Sequence, residues 1–228
     1  MPFNIQRFID IRSWLYHVTD RANLPRLKRL RTIETAAELL RLAGKEKEWL
    51  RVLRDEPLRL TIDGETAVLK DQGKLSFAST ALLGCTEGDF IEYLNQHVFF
   101  WPGRDDGAIG SGQRMELHYE QDGIKNIESI ICKERYSPLA PAILRVPTAA
   151  LFDANRDQPP LFCDFNSGAP RHQPGGRVPR HLKMFVSCGD CPRAAGDVVE
   201  VVFRAAVTLT SETEVRQEDG RWQRLTLA

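Results

Sequence analysis

Apolar positions along this chain fall into short clusters whose spacing changes repeatedly. Trp14 to Val18 closes the first apolar stretch; it is dense in aromatic and β-branched residues and predicts a short strand. Thr19-Asp20 then supplies N-cap chemistry, and Leu24, Leu27 and Leu30 follow at helical spacing, with Pro25 tolerated in a first turn. Thr35 to Leu53 predicts a second helical region with Ala36, Leu39, Leu40, Ala43, Trp49, Leu50 and Leu53 on one face. Gly44 and the Lys45-Glu46-Lys47-Glu48 run interrupt it. Leu58 to Ile62 alternates, Asp63-Gly64 is a hairpin signal, and Ala67 to Lys70 is the return strand.

Further along, Thr86 and Asp89 have capping-box spacing and open a helix that runs to Leu94. Val98 to Trp101 predicts a strong strand ended by Pro102-Gly103, and the polar, glycine-bearing segment 104–113 predicts a loop. Ala142 to Val146 is a buried strand, and Thr148 to Leu151 a helical turn. Residues 153–180 read as loop, with Pro159-Pro160 and the Asn166-Ser167-Gly168 turn. Val198 to Phe203 is a late strand, and residues 210–228 form an edge strand or a tail. Short strands between helices and long loops point to an α+β fold, read as one domain over 1–228.

Composition narrows the class. The 228 residues are 42% hydrophobic and 27% charged, which fits a folded globular protein. Lys plus Arg and Asp plus Glu are both 31, so bulk charge gives no argument for a polyanionic partner. No apolar run reaches the roughly 20 residues needed to span a bilayer, so no membrane partner is expected. Five scattered cysteines without a visible signal peptide predict reduced thiols and a cytoplasmic location.

Candidate chemistry begins with Glu200. Val198, Val199, Val201 and Val202 flank it, and alternation puts Glu200 on one face with Val198 and Val202. Such a carboxylate is solvated, paired or working; the plainer alternative is an edge-strand charge that blocks aggregation. His17 ends the first strand as a ligand, a base or a histidine satisfied by backbone. Cys188-Gly189-Asp190-Cys191 lacks a second CxxC, so no metal is expected there. Asn166-Ser167-Gly168 with Arg171, Arg177 and Arg180 either holds phosphate oxygens or is a solvated loop. Arg21, Arg26, Lys28, Arg29 and Arg31 form a basic cluster that either attracts a phosphate backbone or is the solvated face of a helix.

Taken in order, these pieces resemble the ADP-ribosyltransferase fold, in particular the branch containing DarT-type DNA-modifying toxins. The resemblance rests on Leu15-Tyr16-His17-Val18-Thr19 with Asn23-Leu24-Pro25, on Val98-Phe99-Phe100-Trp101 and on Val199-Glu200-Val201-Val202. Within that fold the sequence is most similar to a bacterial group sharing a YHxT start, a segment like Ala67 to Gln72, the phrase Leu94 to Trp101, and Asn166-Ser167-Gly168. It spans residues 14–207 and departs from the poly(ADP-ribose) polymerases, which carry a tyrosine in the middle strand.

The resemblance implies a split β-sheet core and NAD as substrate, with no metal. It implies Glu200 and His17 as the catalytic pair across one cleft, with Tyr16, His17, Thr19, Asn23 and Phe100 holding NAD. Tyr16 or Phe100 would stack on nicotinamide. Arg51, Arg54 and Arg59 compete for the basic grip, Arg54 being the candidate carried forward. Asp71, Gln72, Asn166 and Arg171 would contact the acceptor, a nucleic acid, protein or small molecule. A toxin or phage-defence role follows by analogy alone. The alternatives are a non-catalytic nucleotide- or nucleic-acid-binding module of the same fold, and an RNA-processing transferase using Arg171, Arg177 and Arg180.

Overall fold

Antiparallel pairing organises the chain. The computed structural model describes residues 3–70, 72, 82–108, 140–164, 172–173, 176–177, 179–192 and 194–226. Helix α1 (Ile5–Ile11) leads into strand β1 (Trp14–Asp20), a 3-10 turn at Arg21–Asn23 and helix α2 (Leu24–Leu30). Strand β2 (Thr32–Ile33), helix α3 (Ala36–Leu42) and a 3-10 turn at Lys47–Arg51 precede the hairpin of β3 (Leu58–Ile62) and β4 (Glu65–Leu69). Helix α4 (Glu87–Asn95) feeds β5 (Val98–Arg104) and β6 (Gly107–Ala108). Then come β7 (Pro141–Pro147), α5 (Thr148–Ala154), β8 (Leu161–Cys163), the small pair β9 (His172–Gln173) and β10 (Gly176–Arg177), and a 3-10 turn at Ala195–Asp197. The chain closes with β11 (Glu200–Phe203), β12 (Val207–Thr208), β13 (Glu214–Arg216) and β14 (Trp222–Arg224).

The α+β class is as the sequence predicts. The main sheet has the order β14-β13-β7-β1-β5-β11-β8, with β6 attached to β5. Strand β1 pairs with β7 along its whole length, from Trp14 opposite Pro147 to Asp20 opposite Pro141. It pairs with β5 only over Trp14 to Tyr16, which face Gly103 to Trp101. The other half of β5 pairs with β11, Phe100 facing Val201 and Val98 facing Phe203. Strand β5 therefore hands over from one neighbour to the other between Phe100 and Trp101, and the sheet splits along the second half of β1.

Each sheet face is packed. One carries the largest core, in which Phe8 of α1 and Leu27 of α2 meet Leu15, Phe100, Leu144, Phe162, Val201 and Phe203. The opposite face carries two smaller clusters, one around Tyr16, Val18, Val68, Trp101 and Ile143, the other around Phe90, Leu161, Cys163, Phe185 and Val202. Helix α3 packs Leu39 and Leu40 on Leu60, Ile62, Ala67 and Leu69 of the β3–β4 hairpin.

The local signals work where they are dense. Asp63 and Gly64 both have positive φ, 52° and 79°, as a two-residue hairpin turn requires. The Thr86–Asp89 capping box is formed in both directions, and its hydrogen bonds with those from Arg51 hold the Asp89 pKa down at about 2. Gly44 and the lysine-glutamate run do separate α3 from the 3-10 turn.

Several expectations are corrected. Strand β5 continues through Pro102-Gly103 to Arg104, because Pro102 has passed the end of β11, where its missing N–H interrupts no ladder. Residues 153–180 contain β8, a fully buried strand three residues long, too short for alternation to reveal. Residues 5–11 form a helix capped by Asn4, whose side chain accepts from Arg7 N at 2.8 Å. Of the two readings for the C-terminal stretch, the edge strand holds and the tail does not: β13 and β14 form a hairpin that extends the sheet. Arg145 on β7 fastens it: its guanidinium lies 4.2 Å from the Trp14 ring centroid and 4.3 Å from that of Trp222, and Nε donates to Glu214 at 2.6 Å.

In the basic cluster around α2, Arg21, Lys28, Arg29 and Arg31 are exposed, as the solvated-face reading expects, and Arg26 and Arg29 are held by carboxylates. Arg26 is buried and donates to both Glu34 oxygens at 2.6 and 2.8 Å, while Arg29 holds Glu65 at 2.6 and 3.0 Å. Among the described residues no helix is long and apolar enough to cross a membrane.

Gly103 sits at a close backbone approach in the sheet. A Cβ there would lie 2.2 Å from the Gly107 carbonyl oxygen and 2.7 Å from the Tyr16 ring. Gly103→Ala should therefore destabilise the fold by about 1–3 kcal/mol, as overpacking does. Urea denaturation with an unchanged midpoint would show that β6 is not held against β5 in this way.

Candidate functional site

Glu200 opens β11 and is 1% exposed. It pairs with Cys163 of β8, and the preceding Val199 N–H donates to the Cys163 carbonyl at 2.8 Å. Directly opposed residues share a sheet face, so Glu200 lies with Cys163 and Val202 on the face of the smaller clusters. Val198 does not share it: the strand begins at Glu200, and Val198 packs into the main core. One step beyond the last β5–β11 pair, Trp101 stands in register with Glu200, and Tyr16 stands beyond Trp101. Trp101 is 6% exposed, and its indole N–H has no hydrogen-bond partner among the described residues. Tyr16 is buried; its hydroxyl donates to the Arg104 carbonyl at 2.5 Å.

His17 is turned the other way. It is paired with Leu144, and its ring lies 5.5 Å from that of Phe100, both in the main core. Nδ1 donates to the Phe99 carbonyl at 2.9 Å. That carbonyl lies just past the last β1–β5 pair, so the imidazole replaces the strand backbone that the split has removed. Desolvation lowers the His17 pKa, and the bond to Phe99 opposes this in part. The expected catalytic pair is thus not brought together: strand alternation puts Glu200 and His17 on opposite faces of the sheet.

The remaining candidates divide in the same way. Phe100 is fully buried, edge-on to Phe203 at 5.8 Å, so it cannot stack on nicotinamide. Asn23 clamps a hairpin, donating to Thr19 Oγ1 at 2.8 Å and to the Val68 carbonyl at 2.9 Å while accepting from Val68 N at 2.7 Å. Arg54 donates to the Lys70 carbonyl at 3.2 Å and to Asn95 Oδ1 at 3.0 Å, and Gln72 donates to the same oxygen at 3.2 Å. These four residues are joined to backbone and to one another as structural polar ties. Of the rival arginines, Arg51 is committed to Asp89 at 2.6 Å and Glu92 at 3.1 Å, and Arg59 is exposed on β3. Asp71, Asn166 and Arg171 lie outside the described residues.

Arg180 is buried and belongs to the segment whose Met184 and Phe185 pack on the Glu200 face. Arg177 lies in β10, opposite His172. The cysteine pair ends a turn tied by Ser187 and Asp190, and Cys188 and Cys191 pack against the main core. Among the described residues no group of three or more His, Cys, Asp or Glu is arranged to hold a metal.

Sequence reasoning missed an aromatic cluster on the Glu200 side. Phe185 stacks on Tyr93 at 5.1 Å and meets the edges of His97 at 5.0 Å and Phe99 at 5.7 Å. His97 Nδ1 donates to the Tyr93 carbonyl at 2.6 Å, and its Nε2 is buried without a partner among the described residues. Burial lowers the His97 pKa and raises that of Tyr93 to about 12. The spacing of Tyr93, His97 and Phe99 carries a weak signal; Phe185 is too distant in sequence to add to it.

Fold and site define an α+β protein with a split antiparallel sheet and a buried glutamate at the handover of its central strands. The chain belongs to a family of unknown function (DUF7002), whose model matches residues 13–213. No curated protein and no solved structure matches it.

His17 and His97 both have pKa values below the ordinary 6.5 in the folded state. The unfolded chain therefore binds more protons in acid, so the stability these rings contribute is complete above about pH 6.5 and declines as the pH falls toward their folded values. The urea midpoint should drop between pH 7.5 and 5, and His97→Leu should make the drop shallower. Equal slopes in wild type and variant would show that His97 is not held neutral.

Proposed function

We propose that the protein is an NAD-dependent ADP-ribosyltransferase in which Glu200 is the catalytic carboxylate and the acceptor is a nucleic acid, protein or small molecule. The observation that carries this reading is the position of Glu200: a carboxylate 1% exposed, at the split of the sheet, in register with an indole whose N–H has no described partner. An orphaned N–H on the same face suits a polar ligand, and the Tyr16 and Trp101 rings suit a flat one. The likeness of the Tyr16-His17, Val98 to Trp101 and Glu200 segments to the transferase fold supports the same conclusion.

The step breaks the bond between the nicotinamide nitrogen and ribose C1′, and the electron pair leaves with nicotinamide. Positive charge then develops on the ribose, as in glycoside hydrolysis. Glu200 opposes that charge and accepts a hydrogen bond from a ribose hydroxyl, where a fixed carboxylate contributes most. The acceptor atom bonds to C1′ and releases its proton. His17 takes no part in the chemistry; it acts by closing the split onto Phe99.

A second reading is a nucleotide-binding module without catalysis. The orientation of His17, on the opposite sheet face from Glu200, favours it.

Glu200→Gln should lower nicotinamide release from NAD by at least about a hundredfold, the scale of removing one electrostatic contact to a transition state. Its thermal midpoint should stay close to wild type. Unchanged release would remove Glu200 from the reaction. Wild-type protein that binds NAD in calorimetry and releases no nicotinamide would establish the binding module instead.

A further inference from the structure

A cleft of about 800 Å³ opens between α3 and the turn that follows β11. It lies at the Arg204 end of that strand, and Glu200 lies at the other, roughly 13 Å away at about 3.3 Å per residue. Its volume falls in the range of small-molecule sites, about 300–1,000 Å³.

The charges around it are not balanced. Two carboxylates line the cleft, and each is already neutralised: Glu34 takes Nε and Nη2 of Arg26 at 2.6 and 2.8 Å, and Glu38 takes Nε and Nη2 of Arg41 at 3.0 and 2.6 Å. Lys45, Lys47 and Arg204 also line it, and none of them has an ion pair among the described residues. The Lys45 ammonium lies 4.6 Å from the Trp49 ring centroid, a contact that leaves its charge in place. Three cations on one rim call for an anion with more than one charge.

The same lining carries an apolar part, Leu30, Leu50, Ala37, Ala205 and Ala206, with Thr32 and Thr35 beside it. Gln96 adds one side-chain amide, which both donates and accepts. A multiply charged group at the rim, a flat apolar body against alanine and leucine, and one amide for its polar edge together describe a nucleotide.

We propose that this cleft binds a nucleotide, its phosphates on Lys45, Lys47 and Arg204 and its base on the apolar wall beside Gln96. The site is separate from Glu200 and does not depend on the transferase reading.

Calorimetric titration of the whole protein with ADP, adenosine and inorganic phosphate tests it. ADP should bind at least tenfold more tightly than either part. Lys47→Glu and Arg204→Glu, both at exposed positions, should each weaken ADP at least tenfold with an unchanged circular dichroism spectrum. The neutral Lys47→Gln and Arg204→Gln should weaken it less. Glu200→Gln should leave it unchanged. Absence of ADP binding, phosphate binding as tight as ADP, or affinity lost with Glu200→Gln and kept in the charge reversals would each overturn the proposal.

Discussion

The offset between the two ladders of β5 is the constraint on which the architecture depends. Had β1 stayed paired with β5 beyond Tyr16, the Phe99 carbonyl would be met by strand backbone, and the sheet would continue unbroken. Because the pairing stops, a buried carbonyl needs another donor, and the His17 ring supplies it at 2.9 Å. Leaving such a group unmet costs about 1–3 kcal/mol. Strand β11 begins at Glu200, so the carboxylate stands where regular pairing with β5 gives out and Trp101 begins to face β1. One geometric fact thus places the imidazole, the indole and the carboxylate, and it also separates the first from the last.

Buried polar ties then fix the elements around this point. Asn23 bridges β1 to the β3–β4 hairpin through both ends of its amide, replacing ladder bonds that β4 lacks on that edge. Asn95 does the equivalent at the end of α4, accepting from Arg54 and Gln72 and donating to the Leu50 carbonyl at 2.9 Å. Side chains of this kind resemble ligand-binding groups in a sequence because both tasks demand the same donors and acceptors. What distinguishes them is whether groups within the fold consume their capacity, as they do for Asn23 and Asn95.

That distinction explains what was legible beforehand. The Asp63-Gly64 turn, the Thr86–Asp89 box and the leucine spacing of α2 are local, and their chemistry is complete within a few residues. The valines around Glu200 announce burial correctly, because every residue of β11 is buried. The face that Glu200 occupies depends on pairing with Cys163 in a three-residue strand that has no pattern of its own. The orientation of His17 depends on Leu144, more than a hundred residues later. Arg26 reads as one cation in a basic run until Glu34 is found against it. Facing and pairing are properties of register, and register is set by partners far along the chain.

The position of β1 in the sheet has a consequence for biosynthesis. It is made well before either of its two neighbours, which begin at Val98 and Pro141. A nascent chain therefore carries Trp14, Leu15, Tyr16 and Val18 with both edges open until β5 is made, and with one edge open until β7 follows. Long-range pairing of this kind folds slowly and leaves apolar strand edges exposed meanwhile. Helix α1, whose Phe8 packs into the same core as Leu15, is the element made early enough to shield one side of that strand while its partners are still on the ribosome.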